Sequence, residues 1–158
     1  MNSDDESRGA ACSKVHKKYE ASVMDLILPD HHWILWKTSW YSLVSALFAA
    51  SLGKFDLAAG PMAIFLTSIN YWYHPDYSWR RYLDMAVVST ALTYHLYRAY
   101  FAENGFVYYV LIAFALSCFQ IGQYYYSHKK EWESTISHAG LHVIGNIANI
   151  ILYSGVTP

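Results

Sequence analysis

Charge is scarce in this 158-residue sequence: Asp, Glu, Lys and Arg make up 15%, against about a quarter in ordinary soluble domains. Much of that share sits in the first thirty residues, so the remainder is poorer still. A soluble helical bundle carries a charged outer face on most of its helices, and too little charge is left here to build one. There is no basic excess either. The formal net charge is −1, so no nucleic-acid partner is expected. The only two cysteines are Cys12, in a polar tail, and Cys118, in an apolar stretch. That pattern makes neither a disulfide framework nor a zinc knuckle. The opening "MNSDDESRGAACSKVHKKYE" lacks the apolar centre that a secretory signal needs. No internal repeat is visible, and the length supports one domain.

What the chain does have is apolar and aromatic: 54% hydrophobic residues and 18% Phe, Trp and Tyr. Residues 1–32 read as a polar tail, in which Val15, Tyr19, Val23 and Ile27 recur every four residues between Lys14, Lys17 and Lys18. A short interfacial helix and a flexible tail both fit that pattern. Five apolar segments follow, at about 33–52, 56–73, 83–101, 106–126 and 136–153. Each fits the roughly 17–25 residues that cross a hydrocarbon core. "FVYYVLIAFALSCFQIGQYYY" (106–126) has no charge on any face. Backbone groups in lipid must be satisfied internally, so the expected class is all-α: a polytopic membrane bundle of about five transmembrane helices. Trp and Tyr gather at the segment ends, as interfacial rings do.

Counting charge gives a direction. With five spans, the amino-terminal tail shares a side with "HPDYSWRRY" and "SHKKEWEST". That side holds nine of the eleven Lys and Arg residues, leaving only Lys54 and Arg98 opposite. The positive-inside rule then puts the amino terminus in the cytoplasm.

Polar residues inside such segments are candidates for function. "SINYWYHPDYSWRRYLDM" (68–85) places His74 at the end of the second segment and Asp84 at the start of the third. "ISHAGLHVIGN" (136–146) places His138 and His142 one helical turn apart. All four fall at the expected cytoplasmic end. Thr67, Asn70 and His74 form one polar stripe, and Asp84, His95 and Arg98 another. Three imidazoles from His74, His138 and His142 would suit zinc with one position open for water. Asp84 could then orient or deprotonate that water, and Asn70 could donate to a developing oxyanion. The plainer reading makes the histidines interhelical or interfacial residues and Asp84 an anion at a helix start.

The "SHAGLHV" element (137–143), with the early His74 and Asp84, resembles the CREST superfamily of alkaline ceramidases and progestin–adiponectin-type receptors. The resemblance implies a zinc-dependent intramembrane lipid-amide hydrolase, with His74, His138 and His142 on the metal and Asp84 beside its water. It also implies a serine four residues before the first histidine. Here that position is Asn70, with Ser68 expected to point elsewhere on the helix, and five spans stand in place of seven. The alternative is a non-catalytic accessory subunit or scaffold of a larger membrane complex. The expected partners are the bilayer, and a lipid substrate or other membrane subunits.

Overall fold

The computed structural model describes residues 31–156 and is all-helical over that range. The polar tail and its four-residue apolar stripe lie outside the described residues. The helices are α1 (His32–Ser51), α2 (Phe55–Tyr73), α3 (Trp79–Tyr100), α4 (Gly105–Ser127) and α5 (Glu131–Ser154). They fall on the five apolar segments, but α3 starts at Trp79 and α5 at Glu131, each before its segment. Local chemistry explains the early start of α3. The Ser78 hydroxyl accepts from the Arg80 amide, and Asp76 accepts from both Ser78 and the Arg80 guanidinium. Together these satisfy the first turn. Upstream, α2 stops at Tyr73, and Pro75 blocks its continuation.

At 19 to 24 residues and about 1.5 Å per residue, each helix is roughly 30 Å long. Each neighbours the next in a ring closed by α5 against α1, and the thinnest seam lies between α3 and α4. Small residues allow the close approaches. Ser39, Ser42, Ser45 and Ala49 of α1 are buried, and Ser45 donates to Asn146 of α5, which in turn donates to Ser42. Gly60 of α2 leaves room for α3, because a Cβ there would stand 2.9 Å from His95 Cε1.

The middle of the bundle holds a polar set that follows from one proline. Pro61 lies inside α2 and has no N–H for the carbonyl of Leu57, four residues back. The Tyr153 hydroxyl of α5 lies 3.4 Å from that carbonyl and 2.6 Å from His95 Nε2. His95 Nδ1–H donates to the Ala91 carbonyl at 2.7 Å. With Nδ1–H given to Ala91, Nε2 accepts from the Tyr153 hydroxyl, whose one proton is shared at best weakly with the Leu57 carbonyl. His95 therefore has a structural task, and both its ring nitrogens are engaged.

At the end where α1 leads into α2, the two cations are also held. Lys54 donates to the Tyr153 and Gly155 carbonyls at 2.7 and 2.6 Å, closing the end of α5. Arg98 forms an ion pair with Asp56, and Tyr94 bridges the two.

The outer surface is apolar. Phe106 is 81% exposed, Phe114 63% and Leu47 57%, far from the usual dispersed apolar exposure of a soluble monomer. Two helices, α4 and α5, are long and apolar enough to cross a membrane, and only 28% of the most apolar stretch of each is buried inside the protein. The other three do not meet the same test of length and composition. α1 carries four Trp or Tyr residues and four serines, and α3 carries Arg80, Arg81, Asp84 and Arg98. Such residues lower hydropathy even where their side chains turn inward or lie at an interface.

Candidate functional site

A cavity of about 170 Å³ opens at the bundle end formed by the starts of α1, α3 and α5 and the ends of α2 and α4. All five helices contribute to its wall. Asp84 and Arg81 come from α3, Tyr71 and Trp72 from α2, and Leu35 from α1. The α4 wall includes Phe119 and Tyr126, and the α5 wall includes Glu131 and His138. The volume lies below the roughly 300 Å³ at which drug-sized pockets begin. It suits a headgroup-sized fragment.

Asp84 is the most constrained polar group in the wall. It is buried on the inner stripe of α3 with Ala91, His95 and Ala99. Its Oδ1 accepts from the Ser68 hydroxyl at 2.6 Å and from the Thr67 hydroxyl at 2.8 Å. Oδ2 has no hydrogen-bond partner among the described residues. Since α3 starts at Trp79, Asp84 lies beyond the first turn, where the helix dipole acts weakly. Its hydroxyl partners are what hold it. Ser68 was expected to point away; instead it shares the buried stripe of α2 with Leu57, Pro61, Phe65 and Trp72.

Of the four sequence-selected residues, Asp84 and His138 share the cavity wall and His142 packs on His138, while His74 stands apart. His138 lines the cavity, its ring 5.3 Å from Trp72 and 5.8 Å from Phe119. His142 stacks edge-on to His138 at 5.2 Å, and its Nδ1 shares a 2.9 Å hydrogen bond with the Thr38 hydroxyl of α1. His74 is exposed at the end of α2, against Tyr73, and only its backbone carbonyl is engaged, by Arg80. Asn70 is exposed as well, and its carbonyl also accepts from Arg80. Among the described residues no three His, Cys, Asp or Glu side chains group as a metal site. Among the described residues the donor set is a pair of histidines, His142 being oriented through its Nδ1 by Thr38, and exposed His74 adds no third imidazole. It does not fit a three-histidine zinc centre.

Several contributors were not foreseen. Trp72 lines the cavity, is 6% exposed, and keeps its indole N–H without a hydrogen-bond partner among the described residues. Glu131, also in the wall, keeps a buried Oε2 without a hydrogen-bond partner among the described residues. Native proteins pair most such atoms. The sequence cue for Trp72 was its place on the Leu57–Pro61–Phe65–Ser68 stripe, which marks the inner face of α2. Glu131 carried no cue, because it sits in a charged connection.

No family model, curated protein or solved structure matches this chain.

Proposed function

We propose that this chain is a multi-pass membrane protein that binds the polar head of an amphiphile in the cavity at its cytoplasmic end. One observation carries the reading. The cavity is walled by all five helices, and its wall keeps polar atoms on Asp84, Trp72 and Glu131 without a hydrogen-bond partner among the described residues. The apolar outer faces of α4 and α5 supply the membrane side of the argument. The thin α3–α4 seam would give a lipid tail a lateral exit.

Native mass spectrometry of the full chain, released from mild detergent, tests this. About one amphiphile should be retained per chain. Ser134→Trp, which fills the cavity from α5, should abolish retention while leaving the helical circular dichroism intact. Equal retention in parent and variant would overturn the reading.

A second reading is zinc-dependent lipid-amide hydrolysis. It is supported by the closeness of His138 to His142 and by Asp84 in the same cavity wall as His138. It needs a third donor that the present arrangement does not bring in. Metal content of untagged protein decides it. Near one zinc per chain, lost in the double variant His138→Ala, His142→Ala, would support the reading; a folded, metal-free parent after zinc is offered would end it.

A further inference from the structure

Building on the cavity reading above, we infer that the group this cavity recognises is a substituted ammonium cation. Aromatic rings make up a large part of the wall: Tyr71, Trp72, Tyr77, Phe119 and Tyr126 line it. Beside them stand the neutral polar Gln123, Ser134 and Thr135. Aromatic faces attract cations through the ring quadrupole, and cages of such rings are a recurrent way to hold quaternary ammonium groups. The bundle already places one cation in this way, with the Arg81 guanidinium 5.1 Å from the centre of the Tyr77 ring.

The charges agree with the rings. The lining contains two carboxylates, Asp84 and Glu131, and one arginine, Arg81. Each carboxylate keeps an oxygen without a partner among the described residues: Oδ2 of Asp84, and the buried Oε2 of Glu131. For the buried Glu131 Oε2, being left unpaired is costly, and an incoming cation removes that cost. An anionic headgroup could meet Arg81 and the Trp72 N–H, but it would enter a wall in which two carboxylates face one arginine. A neutral sugar could stack on the rings and use Gln123, Ser134 and Thr135, but it would leave the charge of the two carboxylates unmet. The cavity, at about 170 Å³, holds a trimethylammonium group with its first carbons and excludes an acyl chain. The tail must therefore lie outside.

The test uses the full chain in mild maltoside detergent and follows tryptophan fluorescence. Dodecyltrimethylammonium is compared with its uncharged carbon isostere at sub-micellar concentration, with choline as a water-soluble competitor. Binding of the ammonium amphiphile at least about tenfold tighter than the isostere is expected, since desolvated cation–π contacts and a carboxylate favour only the charged form. Glu131→Gln, a near-isosteric change at a half-buried site, should cut that preference several-fold. Displacement by choline would assign the ammonium to a soluble ligand; resistance to choline would assign it to a lipid headgroup. Equal binding of amphiphile and isostere would overturn the ammonium assignment while leaving the cavity reading in place. No binding of either would overturn both. A preference unchanged in both Glu131→Gln and Asp84→Asn would place the cation elsewhere and overturn the inference.

Discussion

Gly60 sets the distance between α2 and α3, and a methyl group added there tests how firmly that distance is held. An ideal Cβ on Gly60 stands 2.9 Å from His95 Cε1 and 3.2 Å from the Ala91 Cβ. His95 cannot swing aside cheaply, because Ala91 holds its Nδ1 and Tyr153 its Nε2. The helices must therefore move apart. Overpacking of this kind costs about 1–3 kcal/mol, whereas alanine is favoured over glycine in a helix by about 0.8–1.0 kcal/mol. Gly60→Ala should thus lose roughly 0–2 kcal/mol, and the larger Gly60→Val should reach the upper part of the overpacking range. Gly145 on α5 supplies the control, since a Cβ there meets no atom within 4 Å. Gly145→Ala collects the helix gain alone, about 0.5–1 kcal/mol. The expected order of stability is Gly145→Ala, parent, Gly60→Ala, Gly60→Val. With about 2–4 °C per kcal/mol for a chain of this size, the extremes should melt at least about 5 °C apart. Far-ultraviolet circular dichroism in one detergent at one scan rate reads this order, the rate being fixed because such melts are kinetic. A Gly60→Val protein melting at or above the parent would refute the reasoning, and so would a Gly145→Ala protein melting below it.

Ser68→Ala removes the shorter of the two bonds to Asp84; the loss should be about 1.5–3 kcal/mol, as for bonds to a charged acceptor, and an unchanged melting temperature would show that Asp84 does not depend on it. Asn146→Ala breaks the α1–α5 tie to Ser45 and Ser42, for about 1–2 kcal/mol given roughly 0.6 kcal/mol per interhelical bond in lipid; a melt indistinguishable from the parent would count against that tie. Asp76, in the connection before α3, has a pKa below its ordinary 3.8: slight burial pushes it up, but bonds from Ser78 and Arg80 prevail. A carboxyl with a lowered folded pKa adds stability above its unfolded pKa and loses it as pH falls through the folded one. The parent should therefore lose stability below about pH 3.8, and Asp76→Asn should lose less over that window; parallel acid profiles would contradict the assignment.

Much of the fold was legible because long apolar stretches leave the backbone one main solution. The errors arose where a polar residue near a segment end had two places to go. Thr67, Asn70 and His74 share a stripe by spacing, yet Asn70 and His74 are exposed while Thr67 reaches Asp84. The spacing that governs α2 is apolar. Leu57, Pro61, Phe65, Ser68 and Trp72 follow one another at three or four residues and are buried, so Ser68 goes inward with them. On α3 the same logic held for Asp84 and His95, which fit the buried stripe of Ala91 and Ala99, but not for Arg98, which is half-buried and paired with Asp56. His138 and His142 were correctly placed beside each other, since helical geometry alone puts residues four apart on one face. Their neighbours were not readable. Which helix meets which is decided by the ring order, and that order depends on small-residue contacts such as Ser42 and Ser45 against Asn146. The aromatic wall was least legible of all. Tyr71, Trp72 and Tyr126 look in sequence like interfacial anchors, and the same rings serve as cavity wall only because α2 and α4 both end at that level of the bundle. A belt residue and a cage residue carry identical local signals; the packing of five helix ends separates them.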